Sequence, residues 1–93
     1  MNASYQPGQE EDIEILEDII VENKIIIHND NVNTFEWVID TLMEVCRHGF
    51  EQAEQCAYII HNRGKYAVKH GTYKTLKSMK EAIVERGIDA TIE

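Results

Sequence analysis

Much that would mark an enzyme, a secreted protein or a membrane protein is scarce in this chain. Its 93 residues include one proline, two cysteines and one tryptophan. The two cysteines, Cys46 and Cys56, can pair only once, and the opening MNASYQPGQEED has neither the basic n-region nor the apolar h-region of a secretory signal. Both are therefore expected as reduced, half-buried helix residues. No apolar run nears the ~18 residues of a membrane span, so a soluble cytoplasmic protein is expected. No Gly-rich phosphate loop, G-x-S-x-G elbow or H-E-x-x-H helix occurs. Cys46 with His48, and Cys56 with His61, have neither C-x-x-C nor H-x-x-x-H spacing, which leaves no set of four metal ligands. Cys56 falls on the inward face of its helix, where a thiol acts as a small hydrophobe. No metal, no cofactor and no catalytic centre are expected.

Positive charge is scarce too. Seventeen acids against nine bases give a net charge of −8, which argues against a protein that tracks nucleic-acid phosphates with clustered Lys and Arg. The imbalance is local: residues 1–23 hold seven acids and no Lys or Arg, leaving ten acids and nine bases in residues 24–93. Residues 1–22 are expected to form a flexible acidic arm, and residues 23–93 a single folded domain. Within the arm, residues 13–21 alternate acids with aliphatics, a pattern open to an added turn or strand or to an extended segment.

What is present suffices for one small core. Apolar residues make up 43% of the chain, and a domain of this size buries roughly 60–65% of its unfolded surface. Lys24 to His28 is a β-branched run that stops at the turn formers Asn29, Asp30 and Asn31, the pattern of a buried strand entering a loop. Asn33 with Glu36 three residues on reads as an N-cap with its reciprocal acid. Phe35, Val38, Ile39, Leu42 and Cys46 then share one face of a helix from about Thr34 to Arg47, ended by Gly49. A second helix from Phe50 carries Ala53, Cys56, Ala57 and Ile60 on one side and stops at Gly64. Tyr66 to His70 reads as a strand with Tyr66 and Val68 on one face, followed by a helix with the inner stripe Leu76, Met79 and Ile83, ended by Gly87. Residues 88–93 alternate as a strand with one wet face. The order β-α-α-β-α-β predicts an α+β sandwich, three helices packed on a small antiparallel three-stranded sheet.

The loop His28-Asn29-Asp30-Asn31-Val32-Asn33 and the late-helix His61 stand out chemically. Asn and Asp are also ordinary turn and cap residues, and a histidine near a helix C-terminus can serve only the helix dipole. KIIIHNDNVNTFEWVIDTL over residues 24–42, continued without a gap through Glu51, Gln52 and Ala53 to IHNRGK over residues 60–65, resembles the ClpS family of adaptors for ATP-dependent Clp proteases. That family carries an aliphatic strand, Asn-Asp-Asp, a short loop, Glu-Phe-Val at the start of the first helix, and later Val-His-x-x-Gly-Lys.

The resemblance implies a bacterial cytoplasmic, non-enzymatic adaptor. It would bind the N-terminal residue of N-degron proteins and deliver them to a Clp/Hsp100 AAA+ unfoldase through the unfoldase N-domain, working as a monomer with no nucleic-acid or membrane partner. A free α-amino group is a cation with three donors, so a site that desolvates it must offer acceptors. By resemblance Asn29, Asp30, Asn31 and His61 supply them, His61 only in its neutral form. The pocket for a bulky apolar side chain would be lined by Asn33, Phe35, Val38, Ala57, Ile60 and Ile88. Lys74 and Lys77 are implied as contacts to the unfoldase, although charges at that spacing also suit a solvated helix face.

Three departures from the family pattern qualify these implications. Asn31 replaces the second acid, Ala57 stands where the family commonly has Met, and the chain after Lys65 loses the usual Gly and Cys of the second strand. The smaller Ala57 predicts a roomier pocket that rejects N-terminal Ile or Val less strictly. The competing expectation is a protein-interaction domain of the same fold with another ligand, like the C-terminal domain of the ribosomal stalk protein.

Overall fold

The computed structural model describes residues 22–93. The arm expected over residues 1–22, with its segment 13–21, thus lies outside the described residues but for Glu22. In chain order the elements are β1 (Asn23–His28), α1 (Phe35–Cys46), α2 (Phe50–Arg63), β2 (Lys65–Gly71), α3 (Tyr73–Glu85) and β3 (Ala90–Ile92). The strands form one antiparallel sheet in the order β2-β1-β3. This is the α+β arrangement expected from the residue pattern.

β1 is the central strand. Flanked by a strand on each edge, it holds Ile25, Ile26 and Ile27 all buried, with Ile25 and Ile27 on the face that joins the core. Against it pack Leu42 and Cys46 of α1, the Ala53, Cys56, Ala57 and Ile60 stripe of α2, Leu76 and Ile83 of α3, and Ile88 and Ala90. These are the inward positions that helical spacing selects, together with Val68 of β2.

β2 carries an irregularity that residue alternation does not show: Tyr66 pairs with Ile27, Ala67 with Ile26 and Lys69 with Ile25, so Val68 is the extra residue of a bulge. Tyr66 and Val68 share the face turned to α2, as expected, Val68 buried and Tyr66 part exposed. Two local expectations are corrected. The N-cap of α1 is Thr34 rather than Asn33, its hydroxyl accepting from the Trp37 N–H at 3.0 Å. Nor does Gly49 end α1. Arg47 does so in a left-handed conformation, φ 61°, its N–H returning to the Leu42 carbonyl, and Gly49 instead opens α2 with ordinary extended angles.

The end of α3 matters for the site. Gly87 has φ 85°, its N–H bonds the Val84 carbonyl at 2.9 Å, and the Ile88 N–H reaches back to the Ile83 carbonyl at 3.4 Å. This is a Schellman cap, completed by the apolar pair Ile83 and Ile88, both buried. The turn presents the Gly87 carbonyl outward, toward the loop after β1.

Candidate functional site

The loop leaving β1 is fixed by its own side chains. Asp30 Oδ1 accepts from the backbone N–H groups of Val32 and Asn33, both at 2.8 Å. Its other oxygen accepts from the Asn33 amide at 2.7 Å. Three donors on one carboxylate favour the ionised form, and the Asn33 backbone N–H leads in pulling the Asp30 pKa below its ordinary value. Asp30 is thus a brace for its loop as well as a standing negative charge.

Two bonds tie this braced loop to the rest of the domain. The second proton of the Asn33 amide goes to the Gly87 carbonyl at 2.9 Å, so one side chain joins the β1–α1 loop to the α3 cap. Asn29 donates its backbone N–H to the Gly64 carbonyl at 2.8 Å, at the end of α2. Behind them, the Trp37 indole donates to the Arg86 carbonyl at 3.0 Å. The Arg86 guanidinium lies over the Trp37 ring and pairs with Glu44 at 2.6 Å. α1 is clamped to the end of α3 by these contacts, none of which follows from helical spacing alone.

Between the loop and α2 opens a hollow of about 360 Å³, at the small end of the usual ligand-pocket range of roughly 300–1,000 Å³. Polar groups from Asn29, Asp30, Asn31, Asn33, Thr34 and His61 and apolar ones from Phe35, Val38, Ala57 and Ile60 line it. All the residues singled out in the sequence for amine and side-chain contact therefore meet at one place, except Ile88. That residue is 2% exposed and belongs to the core and the α3 cap, not to the wall of the hollow. Thr34, not singled out, joins because it caps α1 at the rim. Lys74 and Lys77 are exposed on α3 and take no part in the hollow.

Among the described residues no three His, Cys, Asp or Glu side chains come together to hold a metal ion. Both cysteines are free and fully buried rather than half-buried. Burial pushes the Cys46 thiol up to about 11 and raises that of Cys56 as well, away from the reactive thiolate. Nor is any described helix long and apolar enough to cross a membrane.

The hollow thus sets polar acceptors beside apolar walls. The family model described as ATP-dependent Clp protease adaptor protein ClpS matches residues 21–91. The chain belongs to the ClpS family. The ATP-dependent Clp protease adapter protein ClpS of Nitratidesulfovibrio vulgaris strain Hildenborough is 32% identical over 65 residues, which is 68% of this chain and 62% of that protein. ClpS of Lawsonia intracellularis is 37% identical over 41 residues, 44% of this chain and 38% of that one. The chain thus spans less than two thirds of the length of these curated relatives. Its fold matches Agrobacterium tumefaciens ClpS2 bound to L-phenylalaninamide with a TM-score of 0.71 at 22% identity, over 77% of this chain and 94% of that one.

Proposed function

We propose that this domain is a non-enzymatic adaptor that captures the free α-amino group and bulky apolar side chain of an N-degron polypeptide and delivers it to a Clp/Hsp100 AAA+ unfoldase. The observation that carries the reading is the hollow itself, where Asn29, Asp30, Asn31 and His61 stand beside Phe35, Val38, Ala57 and Ile60. An ammonium group can donate to the amide and imidazole acceptors while the Asp30 charge, fixed by its loop, offsets its own. Its side chain can then lie against the apolar wall, each Å² removed from water contributing ~25 cal/mol. The ligand named for the Agrobacterium tumefaciens relative, L-phenylalaninamide, combines these same two groups in one small molecule. Residues 1–22 serve in this scheme as the acidic arm that follows the substrate toward the N-domain of the unfoldase, with Lys74 and Lys77 as contacts on the domain side. The adaptor acts as a monomer in the bacterial cytoplasm.

Asn29 and His61 test the reading because both side chains are exposed, and surface substitutions ordinarily change stability by no more than about 0.5 kcal/mol. Asn29→Ala and His61→Ala should each weaken a fluorescent peptide beginning with Phe by roughly tenfold in anisotropy titrations. Unchanged affinity in both would remove the amine site from this hollow.

A further inference from the structure

One side of α3 carries a stripe that the core does not use. Tyr73, Lys77, Lys80 and Val84 lie at i, i+4, i+7 and i+11, which sets them in one line along the helix, beside the inward residues Leu76 and Ile83. Tyr73 is 53% and Val84 45% exposed, Lys77 is exposed and Lys80 partly so. The ion pairs among the described residues join His70 to Glu22 and Arg86 to Glu44. Neither Lys77 nor Lys80 is committed to an acid in those pairs, so the stripe runs apolar, basic, basic, apolar.

The chain carries the complement to this order. Residues 13–21 set the adjacent acids Glu17 and Asp18 between the aliphatic pairs Ile15-Leu16 and Ile19-Ile20, and no Lys or Arg precedes Lys24. They also lead into β1 beside the start of α3: Asn23 pairs with Gly71, two residues before Tyr73, and Glu22 reaches His70 at 3.5 Å. One antiparallel pair and two further residues put Tyr73 within about 13 Å of Asn23. The lengths agree as well. With a helical rise of ~1.5 Å per residue, Lys77, Lys80 and Val84 lie roughly 6, 11 and 17 Å beyond Tyr73. In an extended chain, at ~3.3 Å per residue, Asp18, Glu17 and Ile15 lie roughly 7, 10 and 17 Å beyond Ile20.

We propose that residues 13–21 of this chain dock along the stripe, with Ile19 and Ile20 toward Tyr73, Glu17 and Asp18 at Lys77 and Lys80, and Ile15 and Leu16 toward Val84. The short tether gives the segment a roughly millimolar effective concentration, so contacts too weak to hold a separate peptide suffice. A docked segment covers Lys77, one of the two lysines read above as contacts to the unfoldase. The free adaptor thus keeps that face closed. This consequence rests on the unfoldase reading, whereas the docking does not.

The test is paramagnetic broadening in the full chain, with a nitroxide on Asp12→Cys, the two native cysteines being buried. Amides around Val84 should broaden far more than those around Gln52 at the start of α2, and the contrast should shrink at high salt. Glu17→Lys with Asp18→Lys should abolish the contrast, and adding Lys77→Glu with Lys80→Glu should restore it. Even broadening, or none, would overturn the docking. A maximum on another face would overturn its assignment to this stripe, and equal broadening from a nitroxide on a separate copy would overturn its intramolecular form. Closure is read separately: the N-domain of an Hsp100 unfoldase should bind the Glu17→Gln, Asp18→Asn chain about threefold tighter than the unaltered one. Unchanged or weaker affinity would overturn the covering of Lys77 alone. No binding to either chain would overturn the unfoldase reading, with the docking still decided by the broadening.

Discussion

The side-chain amide of Asn33 donates to the main-chain carbonyl of Gly87, 54 residues further along the chain, at 2.9 Å. Its other proton goes to Asp30 at 2.7 Å, so this one amide couples the shape of the β1–α1 loop to the cap of α3. Rigid placement of the acceptors follows from that coupling, which needs both the Asn33 side chain and the left-handed turn at Gly87.

Removing the amide should loosen the loop without disturbing the core. Asn33→Ala loses two hydrogen bonds, one of them to a carboxylate, and should cost about 1–3 kcal/mol in urea unfolding. Peptide affinity should fall with it, although Asn33 contributes no charge of its own.

Gly87 has φ 85°, a conformation that costs other residues roughly 1–2 kcal/mol. Nothing lies within 4 Å of an added Cβ there, so the cost in Gly87→Ala is purely conformational. A lower urea midpoint with an unchanged slope is the expected result.

Arg47 predicts the opposite sign. It holds a left-handed angle, φ 61°, that favours glycine, and its side chain is exposed. Arg47→Gly should therefore stabilise the fold by about 0.5–1 kcal/mol, read as a higher Tm. A lower Tm would mean that the extra freedom of glycine in the unfolded chain outweighs the relief.

Acid should weaken the fold in two separate pH windows. His48 is buried, and among the described residues its ring nitrogens meet no well-formed hydrogen-bond partner; burial, aided by the Lys69 charge and only partly opposed by the Val68 backbone, holds its pKa below 6.5. As pH drops below 6.5 the unfolded chain takes up a proton that the folded chain refuses, so stability falls until the lower folded pKa is passed. Asp30 acts lower: its contribution is complete above 3.8 and is lost as pH falls through its depressed folded value. His48→Leu should flatten the first window and leave the second, and it should be neutral or stabilising at neutral pH, because a poorly partnered buried imidazole is replaced by an apolar side chain.

How much of this was legible in the sequence depended on the range of the interactions. Helical spacing selected Leu42, Cys46, Ala53, Ile60, Leu76 and Ile83, all buried, because a core stripe is written in local periodicity. The loop of Asn29, Asp30 and Asn31 stood out as turn chemistry, and its meeting with His61 followed from family resemblance. Bonds across long sequence distances left no local trace. Asn33 looked like a cap since Glu36 followed it, yet its amide is committed to Asp30 and Gly87 while Thr34 caps the helix. Ile88 looked like pocket wall but is drawn inward as the apolar half of the α3 cap. The bulge at Val68 shows only in the strand register.

One titration tests the central claim most directly: a peptide beginning with Phe, bound by the full chain with its α-amino group free and again with that group acetylated. Acetylation removes the charge and leaves one donor, so the amine site should lose at least roughly a hundredfold in affinity. Equal binding of the two peptides would contradict the account.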